Sequence, residues 1–191
     1  MVQYLNISTV VIIVLSAVFW RATFVRANVN HQFDFRDFLN SSEDIWTYAS
    51  TWNASFICRK DNVTEITNKS VSFSTTCYEN KRWGPYKFTG RLFNVWNRPL
   101  PMNGMFITDG LTGYARKEIV YYSDSKDCAV IEVQRSEGWG SDFEILIKNS
   151  SIGKKPKQAL CKEFQKALQK KLKEARRVYN ASCHKLLSPP I

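Results

Sequence analysis

The sequence predicts a mainly β protein: eight short antiparallel strands forming a closed barrel or a sandwich, followed by one helix. Two observations carry that expectation. From residue 45 onward, short runs rich in β-branched and aromatic residues alternate with turn formers. From residue 156 the apolar spacing changes to 3 and 4, the period of a helix with one buried face. A chain of 191 residues, 44% hydrophobic and 23% charged, suits one domain with a real core.

The elements follow in order. Residues 10–20 (VVIIVLSAVFW) are 11 apolar or small residues, too short for a membrane span and suited to a secretory leader. Val25 and Ala27 then occupy the −3 and −1 positions, so residues 1–27 are expected to be a signal peptide, although no Lys or Arg precedes the apolar run. A single domain is expected over 28–191. "DFRDFLN" (34–40) reads as one or two helical turns. The strand candidates are "DIWTYAST", "SFICRK", "SVSFSTTCY", "YKFTGRLFNVW", "MFITD", "RKEIVYY", "CAVIEVQ" and "DFEILIK", which place the barrel at about 43–150. Asn-Lys, Trp-Gly-Pro, Pro-Leu-Pro, Asp-Gly, Ser-Asp and Gly-Trp-Gly supply the breaks. Cys161, Phe164, Leu168, Leu172, Ala175 and Tyr179 form the apolar stripe of a helix at about 156–179.

Charge, cysteines and sequons narrow the class. Residues 154–185 hold 11 basic and 2 acidic side chains, so the positive charge is local to the expected helix. That face fits either a solvated surface or an anionic partner, and secretion argues against nucleic acid. Beyond the expected leader the chain carries six sequons, at Asn40, Asn53, Asn62, Asn68, Asn149 and Asn180, the glycan acceptors expected of a secreted, extracellular chain. The five cysteines include no CxxC pair, and His31 and His184 are the only histidines, so no metal cluster is expected. Two disulfides and one leftover thiol is the simple reading in an oxidising compartment. No catalytic motif appears, and neither an enzyme nor a cofactor is expected.

The ordered set "YYSDSKDCAV" (121–130), "DFEIL" (142–146), "CKEF" (161–164) and Cys183 resembles the tick salivary lipocalins, the histamine-binding family. The resemblance implies an eight-stranded antiparallel lipocalin barrel with a C-terminal α-helix packed on its outside. Trp46 takes the structural place of the generic lipocalin tryptophan. It also implies bridges Cys58–Cys183 and Cys128–Cys161, which tie the C-terminal segment to the barrel wall. Cys77 is then left over, as a free thiol, a capped thiol or an intermolecular bridge. A monomer is expected, with a dimer through Cys77 open.

The same resemblance implies a small ligand inside. Members that trap histamine or serotonin use inward carboxylates and aromatic walls, because a buried ammonium needs a paired carboxylate and gains from aromatic faces. Glu144 keeps one such acid. The other is replaced by Ala129, and a closing aromatic by Leu146. Trp52 matches a pocket tryptophan. Phe106 and Glu118 match inward positions, and Trp46 and Tyr48 are further candidates. Arg116 stands where an aromatic would be expected; pointing inward, it would suit a carboxylate-bearing lipid. Alternation alone reads β-strand 142–148 the other way, with Phe143, Ile145 and Ile147 facing the core and Glu144 solvent. Arg116 and Glu118 also fit a plain surface pair. The expected function is sequestration of a host mediator, histamine or another biogenic amine; the alternatives are a lipid mediator, or a host protein bound by the outer surface. No nucleic-acid or membrane partner is expected.

Overall fold

A computed structural model describes residues 33–186, apart from 54, 80–81, 110–112, 137–139, 154–160 and 162–174. The expected leader, residues 1–27, lies outside the described residues.

The first element, α1 (Phe35–Leu39), begins where Asp34 accepts a hydrogen bond from the Arg36 amide at 2.9 Å. Asp34 also accepts from the Met102 amide, and the Phe35 amide donates to the Met102 carbonyl at 2.8 Å. These bonds hold α1 across one end of the barrel, where Phe35, Phe38 and Leu39 join the interior cluster.

All eight strand candidates form strands: β1 (Ile45–Ser50), β2 (Ile57–Ile66), β3 (Ser70–Glu79), β5 (Tyr86–Phe93), β6 (Gly104–Asp109), β7 (Gly113–Tyr122), β8 (Cys128–Arg135) and β9 (Asp142–Lys148). A two-residue strand, β4 (Arg82–Trp83), pairs with β3. The long strands run β1-β2-β3-β5-β6-β7-β8-β9, and antiparallel pairing of β1 with β9 closes the barrel. A short helix, α2 (Asn149–Ile152), follows β9. Closure leaves no long free edge, and eight strands enclose either packed side chains or one small ligand.

The two faces of the wall carry separate apolar clusters. The interior one holds Val71, Phe73, Leu92, Met105, Ile107, Ile119, Ala129, Ile131, Val133 and Leu146. The outer one holds Trp46, Val130, Phe143, Ile145, Ile147 and Tyr179, together with both disulfides. Cys58 is bonded to Cys183 and Cys128 to Cys161, the pairing that the resemblance implies. Cys77 is buried and in neither bridge.

The terminal helix differs in part from expectation. Most of 156–179 lies outside the described residues. Arg176–Arg177 form a strand, β10, against Ala49 and Ser50 of β1, and one helical turn, α3 (Cys183–Leu186), follows. The cause is a gap in the wall. β1 pairs with β2 only at Ile45 and Trp46. Beyond that point Val178 fills in, donating to the Tyr48 carbonyl and accepting from the Cys58 amide, each at 3.0 Å. Backbone groups that a helix would have satisfied internally are satisfied by the barrel instead.

Candidate ligand site inside the barrel

Strand β9 is covered on both faces, so its polarity does not alternate. Phe143, Ile145 and Ile147 face the outer cluster, while Leu146 faces the interior. Glu144 shares the side of Leu146. It points inward with 0% side-chain exposure, the orientation that alternation alone reverses.

Three cations surround it. Arg135 Nη2 donates to Glu144 Oε1 at 2.7 Å, and Arg59 Nη1 donates to the same oxygen at 3.3 Å. Lys117 Nζ lies 3.5 Å from Oε2. Ala115 and Ile119 flank Lys117 at the strand period and both pack on the interior cluster, so β7 turns Lys117 inward. Two further acids join. Asp61 accepts from Thr75 Oγ1 at 2.6 Å and lies 3.9 Å from Arg59 Nε. Asp142 pairs with Arg135 at 3.2 Å. Arg135 also lies 3.9 Å over the Trp52 ring, and Arg59 lies 5.6 Å from the centre of Phe56.

The electrostatics follow from burial and from these charges. Burial alone would push the Glu144 carboxyl up. Lys117, Arg59 and Arg135 overcome it and hold the carboxyl well below the usual range. Burial pushes Lys117 down, and Arg59 and Arg135 add to that against the pull of Glu144. Two polar atoms in the cluster are buried without a hydrogen bond: Arg59 Nε and Glu144 Oε2.

The remaining candidates lie elsewhere. Arg116 and Glu118 flank Lys117 on β7 and therefore face outward; they form a surface pair at 3.9 Å. Phe106 pairs with Arg116 across the sheet, on the outer face. Phe106, Arg116, Tyr114, Gln134, Arg135 and Ser141 line an open concavity of about 640 Å³. Phe106 and Glu118 were matched to inward positions, and a one-residue difference in strand phase puts them outside; for Arg116 and Glu118 the plain surface pair holds. Trp46 and Tyr48 are also outside the lumen. Trp46 packs edge-on against Tyr179 and His184 and donates Nε1 to Asn149 Oδ1 at 2.9 Å. Tyr48 lies beside Tyr179. Trp52, half-buried beside Phe56, stands in the β1–β2 connection, at the end of the barrel opposite α1. The inward charges Arg59, Asp61, Lys117 and Arg135 were not anticipated. For Lys117 the apolar neighbours two positions away, Ala115 and Ile119, were the available signal.

A closed antiparallel barrel plugged by a short helix, with a charged cluster in its lumen, defines a lipocalin-type binding protein. The chain belongs to the tick histamine binding protein family, whose model matches residues 28–185. A comparison with curated proteins finds no match. Among solved structures, the chain is similar to the serotonin complex of AM182, with 14% identity, 82% of this chain and 96% of that one covered, and a TM-score of 0.61. It is also similar to the siderocalin Ex-FABP (10% identity, 73% and 93% covered, TM-score 0.54). The bovine lipocalin allergen Bos d 2 gives 11% identity, 77% and 95% covered, and a TM-score of 0.52. These likenesses show the fold. The family is named for histamine binding, and AM182 is seen in complex with serotonin. Among the described residues, no helix is long and apolar enough to cross a membrane.

Proposed function

We propose that this protein is secreted and sequesters a small ligand with a negative head group, a carboxylate-bearing lipid being the class that fits best. One observation carries the reading: three cations converge on a single fully buried carboxylate, and one of their donors, Arg59 Nε, has no hydrogen-bond partner. An entering carboxylate would satisfy that donor and relieve the penalty on the Lys117 ammonium. Trp52 and Phe56 offer aromatic surface at the same level. Secretion is supported by the two disulfides, by six exposed sequon asparagines and by a family match that starts at residue 28.

Histamine or another biogenic amine is the second reading, and one observation favours it. Asp61 is a buried carboxylate turned inward, which restores the second acid that Ala129 lacks. Both acids already face cations, however, so an ammonium would enter against Arg59, Lys117 and Arg135.

Native mass spectrometry of the deglycosylated secreted protein, followed by titration with oleate, histamine and serotonin, separates the readings. Oleate is expected to bind and the amines are not. Arg59→Ala is expected to weaken oleate by roughly tenfold or more, the worth of a charge-assisted hydrogen bond. Histamine binding that is lost in Glu144→Gln, with no fatty acid bound, would reverse the assignment.

A further inference from the structure

We infer that Lys117 sets the specificity of the barrel: its ammonium stands where an amine ligand would dock on Glu144, and so excludes amines. The inference deepens the proposed function and rests on it in one respect, that the unaltered lumen takes anions.

The geometry is particular to one edge of the carboxylate. Glu144 Oε1 already receives both Arg59 and Arg135. Oε2 accepts no hydrogen bond, and the group that faces it is Lys117 Nζ at 3.5 Å. A primary amine ligand carries the same head group as a lysine side chain, a protonated nitrogen on a methylene. Lys117 is therefore a tethered amine already at the acid. The tether holds it short of a full hydrogen bond, so Glu144 keeps an acceptor that an untethered amine could satisfy better. The neighbours do not compete for this edge. On β8, Val133 pairs with Lys117 and Ile131 with Glu144, and both are apolar. Asp61 is engaged by Thr75. Removing the lysine side chain would leave a buried carboxylate edge beside a space of ammonium size, flanked by Ile119 and Ile131.

Titration calorimetry and thermal unfolding with histamine and serotonin test this on the full secreted chain. The unaltered protein and Lys117→Arg are expected to show no amine binding. Lys117→Ala and Lys117→Met are expected to gain it, with affinity rising roughly 10- to 100-fold, the range of one charge-assisted hydrogen bond. The gain should vanish in Lys117→Ala/Glu144→Gln. If both single variants fold and neither binds an amine, the inference fails, while oleate binding by the unaltered protein still upholds the anionic reading. Oleate refusal by the unaltered protein, together with amine gain in the variants, sinks the anionic reading alone. Amine binding by the unaltered protein sinks the inference, and amine binding with no oleate bound sinks the anionic reading as well. Should the variants fold poorly, they are refolded with and without millimolar histamine. Folding rescued by histamine supports the inference, and folding in neither condition overturns it.

Discussion

Glu144 is one of three acids set against three cations, so its neutralisation leaves Arg59, Lys117 and Arg135 facing Asp61 and Asp142 alone. Glu144→Gln is expected to lower stability by about 3–5 kcal/mol, as for other buried pairs broken on one side. Urea unfolding measures it. A second change, Lys117→Met, should restore part of the loss, because the two sites share one interaction. The pH dependence has a defined sign. The Glu144 carboxyl lies below its ordinary value in the folded state, so its contribution is present above the usual carboxylate range. That contribution is lost as pH falls through the folded value. Lys117 is pushed the other way: the folded state binds its proton less tightly, and stability rises as pH climbs toward the ordinary lysine range. Unfolding midpoints taken between about pH 2 and 6 should fall steeply on the acid side and flatten in Glu144→Gln. The inward orientation of this residue followed from the family resemblance, whereas alternation alone turned it to solvent. The cations around it were not legible in the sequence. In the charged run Arg116, Lys117 and Glu118, polarity carries no phase, and a shift of one residue exchanges inside for outside. Tertiary register decides it: Lys117 pairs with Val133 and Met105, both interior residues.

The strands were legible because each is short, β-branched or aromatic, and bounded by turn formers. The end of the chain was not, because its helical spacing persists to Tyr179 while the gap between β1 and β2 captures Arg176–Arg177 and Val178. The competing force is long-range, and local propensity cannot report it. The Cys58–Cys183 bridge locks that capture across a separation of 125 residues. For a loop of that length the chain-entropy model gives about 4–5 kcal/mol. Replacing both cysteines by alanine is therefore expected to lower stability by about that amount. The loss should be local in hydrogen exchange as well. The Cys58 amide, which donates to Val178, should lose protection before the β7–β8–β9 part of the wall does. Equal loss of protection in all strands would mean that the tail is not a separate unit, contrary to the captured-strand account.

At the scale of the molecule, the barrel has one end plugged by a helix and one end that carries the charged cluster. α1 fills the first with Phe35, Phe38 and Leu39. Trp52, Phe56 and the cluster of Arg59, Arg135 and Glu144 lie toward the second. The six sequon asparagines are all exposed, but they are not evenly placed. Asn40 follows α1, Asn68 lies in the β2–β3 turn and Asn149 follows β9, all near the plugged end. Asn62 is on the wall, in β2, and Asn180 is in the tail. Asn53, in the β1–β2 connection, is the one beside the mouth. Asn149 accepts the Trp46 bond through Oδ1, which leaves Nδ2 for a sugar, so a glycan and that bond are compatible. A ligand held in the lumen should then be indifferent to most of the sugar coat. Enzymatic deglycosylation is expected to reduce the mass by up to six glycans. It should change oleate affinity by no more than about twofold, the size of an ordinary surface effect. Asn53→Gln alone should reproduce whatever change is seen. A loss of tenfold or more that follows Asn62 or Asn180 instead would place the ligand on the outer wall. The charged lumen would then be a structural device rather than the binding site.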